Sequence, residues 1–176
     1  MKLASFSGKA ELKFSHAYIS LSEKLSAKNP MTDLEFTELC IDICRCLGCD
    51  DIYQLAESGE IILDDVRLGL YYSAEAGGVI SCFVDVGPVE DALRSVVFEN
   101  ILILNLEING LNGETLGFER NSGHLVLCAS ILPGSGFSAG QLADCLRDYS
   151  LFVQKVRTEI LSNKNVQSDE FLSALV

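Results

Sequence analysis

Ile101-Leu102-Ile103-Leu104-Asn105, a linker bounded by Gly110 and Gly113, Thr115-Leu116-Gly117-Phe118-Glu119 and Gly123-His124-Leu125-Val126-Leu127 together decide how this chain folds. The first run ends a helix in which Leu93, Val97, Ile101 and Leu104 form one stripe, while Val96, Leu102, Ile103 and Leu106 cover most of the remainder. A helix apolar nearly all round must be buried on more than one side. With a single sheet to pack against, the economical second cover is another copy of the chain, so a homodimer is expected. Beyond the glycines the period changes to two, and Glu114–Glu119 and His124–Ile131 read as a hairpin around Asn121-Ser122-Gly123.

Upstream of that helix the pattern is again that of strands. Ile61-Ile62-Leu63 precedes Asp64-Asp65, which suits a turn. Val66, Leu68, Leu70 and Tyr72 alternate with Arg67, Gly69, Tyr71 and Ser73, and Glu75-Ala76-Gly77-Gly78 supplies a second turn. Val79, Ser81, Phe83 and Asp85 then alternate with Ile80, Cys82, Val84 and Val86, completing a three-strand antiparallel meander. Pro88, with Glu90 and Asp91 beside it, is placed as the first-turn proline of the helix that follows.

Strong helices flank this middle. Asn29-Pro30 is a break, Thr32 or Asp33 can cap the next helix, and Glu35 stands three residues after Thr32 as in a capping box. Phe36, Cys40, Ile43, Cys44 and Leu47 share one face before Gly48 ends the helix. At the other end Ser138 caps a helix whose apolar side is Leu142, Cys145, Leu146, Tyr149, Phe152, Val153, Val156 and Ile160. The order is helix, three strands, helix, two strands, helix: an α+β fold with an antiparallel sheet packed by helices.

Composition bounds what such a domain can do. With 176 residues, 48% of them apolar, the chain can build a single substantial core. The net charge of −12 disfavours phosphate backbones and anionic membrane surfaces, so neither nucleic acid nor membrane insertion is expected. The charge is uneven: residues 1–31 carry five lysines against two glutamates, a local +3, and the remainder carries −15. This basic extension lacks the apolar core of a secretory signal, because Ser5, Ser7, Gly8, Lys9 and Glu11 interrupt it. No apolar run is long enough to span a bilayer, and the protein reads as cytoplasmic. Residues 163–176 read as a mobile polar tail.

Seven cysteines without such a signal argue for reduced thiols. Cys40, Cys44, Cys46 and Cys49 invite a metal site, but at about 100° per residue Cys46 points roughly 120° away from Cys40, so one tetrahedral site cannot form on an intact helix. No metal and no cofactor are expected. Gly136-Phe137-Ser138-Ala139-Gly140 matches a nucleophile elbow, yet both histidines, His16 and His124, precede the serine, the reverse of that fold's order. No nucleophile, base and orienting group can be assembled, and no enzyme is expected.

The order of these elements resembles the class I type III secretion chaperones, the Tir-chaperone-like family. The run ending in Asn105, the glycine linker, the Leu116-Gly117-Phe118-Glu119 strand and the Gly123-His124-Leu125-Val126-Leu127 return strand are similar to that family's pattern. So are the first helix ending in Leu47-Gly48 and the last helix with Phe152 and Val156-Arg157; together they span about residues 32–162. Residues 1–31 have no counterpart, and Val156 stands where the family often has tryptophan.

The resemblance implies a bacterial cytoplasmic homodimer that binds the N-terminal region of a secreted effector in extended form, without ATP. It implies a dimer contact at Leu93, Val97, Ile101 and Leu104. It implies effector-binding patches at Leu34, Phe36 and Leu39 on the first helix and at Leu68, Leu70 and Phe83 on the strands. The competing reading is a dimeric scaffold or regulator that binds a folded protein.

Overall fold

The computed structural model describes residues 31–75, 78–108, 113–133 and 138–161. The expected C-terminal tail and all of the basic extension but Met31 lie outside the described residues, as do His16, Gly110 and Gly136.

Helix α1 spans Asp33–Leu47. Thr32 and Glu35 close the capping box the sequence announces, with Glu35 N–H donating to Thr32 Oγ1 (3.2 Å) and Thr32 N–H donating to Glu35 (2.7 Å). The Thr32 N–H and the Thr32 hydroxyl (2.9 Å) both donate to the Glu35 carboxylate, favour its ionised form and hold its pKa below the usual range. Gly48 takes φ +76°, a left-handed conformation that ends the helix at little cost for glycine. A five-residue helix α2, Gln54–Ser58, follows. It is too short to print a period on the sequence, which gave no sign of it.

Strands β1 (Glu60–Leu63), β2 (Val66–Ser73) and β3 (Val79–Pro88) form the expected meander. Asp64 and Asp65, at φ 49° and 61°, make the tight β1–β2 turn. Two left-handed residues match the right-handed twist of the strands they join, and aspartate tolerates that region better than most side chains. A 3₁₀ turn, Asp91–Leu93, leads into α3, Arg94–Ile108. Pro88 is thus the last residue of β3, opposite His124, and not the first turn of a helix. Lacking an N–H, it is tolerated at a strand end beside the irregularity between Asp85 and Gly87.

Strands β4 (Thr115–Glu119) and β5 (His124–Ile131) make the second hairpin, and α4 runs Ala139–Val156 into a π-helical turn, Arg157–Leu161. The sheet is antiparallel throughout, in the order β1-β2-β3-β5-β4. One face carries the core. Val66, Leu68 and Leu70, then Ile80, Cys82, Val84 and Val86, then Leu125, Leu127 and Leu116 meet α1, α3 and α4, whose buried residues include Ile43, Leu104, Tyr149 and Val153. Ser138 Oγ accepts from Gln141 N–H (3.2 Å), so the serine of the elbow-like motif is a helix cap.

Candidate interaction surface

The helix-free face of the sheet exposes a patch of large side chains. Gly69 pairs with Phe83 and Ile62 with Arg67, which puts the side chains of Ile62, Tyr71 and Phe83 on this side. Phe83 is 41% exposed, and its ring meets that of Tyr71 edge-on at 5.7 Å. Gly69 makes room for this: a Cβ there would lie 3.2 Å from the Tyr71 ring. Polar groups border the patch, with His124 Nδ1 2.8 Å from Asp85 Oδ1.

A second apolar site lies on the helix layer. Leu34 is 68% exposed near the start of α1. Phe36 is half-buried and stacks on Tyr72 at 5.5 Å, and Leu39 is half-buried against the core. Of the six residues expected to meet a client, then, Leu34 and Phe83 are at the surface, on different layers of the fold. Leu68 and Leu70 are not: they point into the core, because they are one residue out of phase with the face that carries Phe83.

The third site is α3. Val97, Ile101 and Leu104, expected at a dimer contact, are buried within the protomer, and Leu93 is half-buried. The opposite side of the helix presents Leu102 and Leu106, 68% and 85% exposed, and Val96 is exposed nearer its start, on a flank about a third of a turn round from Leu102. At about 100° per residue Leu102 and Leu106 lie nearly diametrically opposite the buried stripe. The helix is apolar on both sides as expected, with Val97, Ile101 and Leu104 on the side packed against the core and Leu102 and Leu106 on the exposed side.

Cysteine chemistry is muted. Among the described residues no group of three or more His, Cys, Asp or Glu side chains could hold a metal ion. Burial pushes the Cys40 thiol up to about 12 and Cys49 up to about 11, each with nearby Cys44 adding to the effect. Burial raises Cys82 and Cys128 as well. Thiols held protonated are poor nucleophiles and poor metal ligands at neutral pH. Cys46 is the exposed one of the seven. A bulky thiol reagent is expected to label Cys46 first and the buried Cys40, Cys44, Cys82 and Cys145 only on unfolding, as peptide mass mapping would read. Equal native labelling of Cys40 would contradict the packing of α1.

No family model matches the sequence, and no curated protein matches it. Solved structures do match the fold. A chain in the crystal structure of the ExsC–ExsE complex superposes with a TM-score of 0.61 at 16% identity, over 75% of this chain and 98% of that one. A chain in the structure of the HopA1–SchA chaperone–effector complex superposes at 0.51 and 20% identity, over 73% and 99%. Both alignments take in nearly the whole of the other chain, so the shared architecture is the complete domain. An antiparallel sheet packed by helices is the expected α+β layout, and the fold is like that of the class I type III secretion chaperones.

Proposed function

We propose that this protein is a type III secretion chaperone that binds the N-terminal region of a secreted effector in extended form and keeps it competent for export, without ATP, in the bacterial cytoplasm. The observation that carries the reading is the whole-domain likeness to a chain of a chaperone–effector complex. The surfaces are compatible with it. An extended polypeptide can lay apolar side chains on Ile62, Tyr71 and Phe83 on one layer and on Leu34 on the other. The working form is a homodimer closed through Leu102, Leu106 and Val96, the side of α3 that the protomer leaves uncovered.

Co-expression with effectors encoded beside the gene, light scattering and limited proteolysis test the reading. A complex of two protomers with one effector, protecting only an N-terminal segment of the effector, is the expected result. A partner that stays protease-resistant on its own would instead favour the scaffold reading. Within the complex, Phe83→Asp is expected to weaken binding by about 10- to 100-fold, since burying such a ring contributes about 1.5–3 kcal/mol. Phe83 is more than half covered in a central strand, so the substitution also costs some stability and affinity is compared where both proteins are folded. Unaltered affinity in calorimetry, with Leu34→Asp also silent, would remove both patches from the client path.

A further inference from the structure

The two outer strands of the sheet do not present bare edges. In β4, alternate residues turn their N–H and C=O away from β5, and Leu116 is one of them. Its N–H donates to Asn105 Oδ1 (2.7 Å), and its C=O accepts from Asn105 Nδ2 (3.0 Å). A carboxamide holds a fixed donor and a fixed acceptor side by side. Asn105, reaching over from α3, therefore satisfies Leu116 as a residue of a sixth strand would.

The far edge has a matching device. Ser58, the last residue of α2, accepts from Glu60 N–H (3.1 Å) and lies 2.9 Å from Glu60 O and 2.7 Å from Gln54 O. A hydroxyl has one proton to share between those two carbonyls, so this closure is the weaker one. The next outward-facing residues on each edge are two positions along. Phe118 packs under α3, with Phe98 edge-on at 5.1 Å and the Arg94 guanidinium 5.1 Å from its ring. Ile62 stands open. Each edge thus keeps one residue's worth of backbone groups beyond the closed one, too little for a ladder.

We propose that Asn105 and Ser58 are edge plugs that hold the sheet at five strands and withhold β4 and β1 from strand addition, whether by a second copy of this chain or by an extended polypeptide. The plugs rest on the edge geometry alone. Their consequence for a client rests on the function proposed above: the client is gripped by side chains on the outer face and on α1, and backbone pairing at either edge requires a plug to be displaced first.

The test needs no client and uses the full chain, with a second copy as the probe. Hydrogen exchange of the wild type is expected to find the Leu116 and Glu60 amides protected. Asn105→Ala should speed exchange at Leu116, and Ser58→Ala at Glu60, by about tenfold or more, because each loses the acceptor of its N–H. Asn105→Asp, which keeps that acceptor, should leave Leu116 protected. The double alanine variant should gain mass with concentration in sedimentation, beyond the mass of the wild type; a purely structural role for either side chain would not produce that gain.

Fast exchange at both amides in the wild type overturns the proposal. So does a folded double variant that keeps the wild-type mass at every concentration. If Asn105→Ala fails to fold, Ser58→Ala at its exposed position decides the matter by Glu60 exchange and by mass. None of these readings depends on whether the protein is a chaperone, so the two proposals fail separately.

Discussion

Val97→Asp is expected to unfold the protein, whereas Leu102→Asp on the same helix should leave it folded and reduce it to monomers. Val97 is 2% exposed and lies in the protomer's core beside Ile101 and Leu104. An aspartate there forfeits the burial of the valine and places a carboxylate among apolar side chains. The loss exceeds about 4 kcal/mol, a large share of the roughly 5–15 kcal/mol that holds a domain together. Leu102 already faces solvent in the protomer, so its replacement costs the isolated fold within about 0.5 kcal/mol. At a symmetric interface each substitution counts twice, and a carboxylate facing its own copy adds repulsion. Circular dichroism with sedimentation velocity separates the cases. A Val97→Asp protein that melts normally as a monomer would put the dimer contact back on the buried stripe. A Leu102→Asp protein that stays dimeric would move the contact off α3.

The burial of that stripe within the chain itself shows what the sequence could and could not reveal. Where one face of an element is apolar and the other polar, the phase is legible, and α1, α4 and the alternation of β2 and β3 read correctly down to the caps at Thr32, Gly48 and Ser138. Helix α3 is apolar on both sides, so its sequence does not say which side the sheet covers. Val97 and Leu102 are equally plausible interface residues until the sheet is in place. The strands pose the same problem in two layers. Leu70 and Phe83 are both large and apolar, and only the pairing of Gly69 with Phe83 sets them on opposite faces. Pro88 misled for a different reason: a residue without an N–H suits a helix start and a strand end equally, and nothing nearby in the sequence distinguishes them. The edge contacts of Asn105 and Ser58 belong to tertiary structure. Eleven positions separate Asn105 from Leu116, across the glycine linker, and no periodicity connects them.

Arg157→Ala is expected to destabilise the fold by about 2–4 kcal/mol. The guanidinium donates to three backbone carbonyls on two separate segments: Nε to Val86 O (2.7 Å), one terminal nitrogen to Asp85 O (2.8 Å) and the other to Asp65 O (2.9 Å). Those carbonyls sit at the β3 irregularity and in the left-handed β1–β2 turn, two places where the regular ladder cannot satisfy them. A charged donor is worth more than a neutral one, and alanine would leave the less exposed acceptors without this partner. The side chain is only partly buried, so water replaces some of the loss, which keeps the figure below the sum of three bonds. Arg157→Lys should recover less than half, because an ammonium on a flexible stem cannot serve three divergent acceptors at once as the planar fork does. Arg147→Ala is the matched control: that guanidinium also reaches a carbonyl, Cys46 O at 2.6 Å, but in an exposed setting, and its loss should cost about 1 kcal/mol or less. Urea titrations give the ranking directly, as midpoint shifts at constant slope. Equal midpoints for Arg157→Ala and Arg147→Ala would mean that the turn and the bulge hold their geometry without α4. The outer face would then owe its shape to the strands alone, since Asp85, which carries His124 at the border of the Phe83 patch, is also the residue whose carbonyl Arg157 holds.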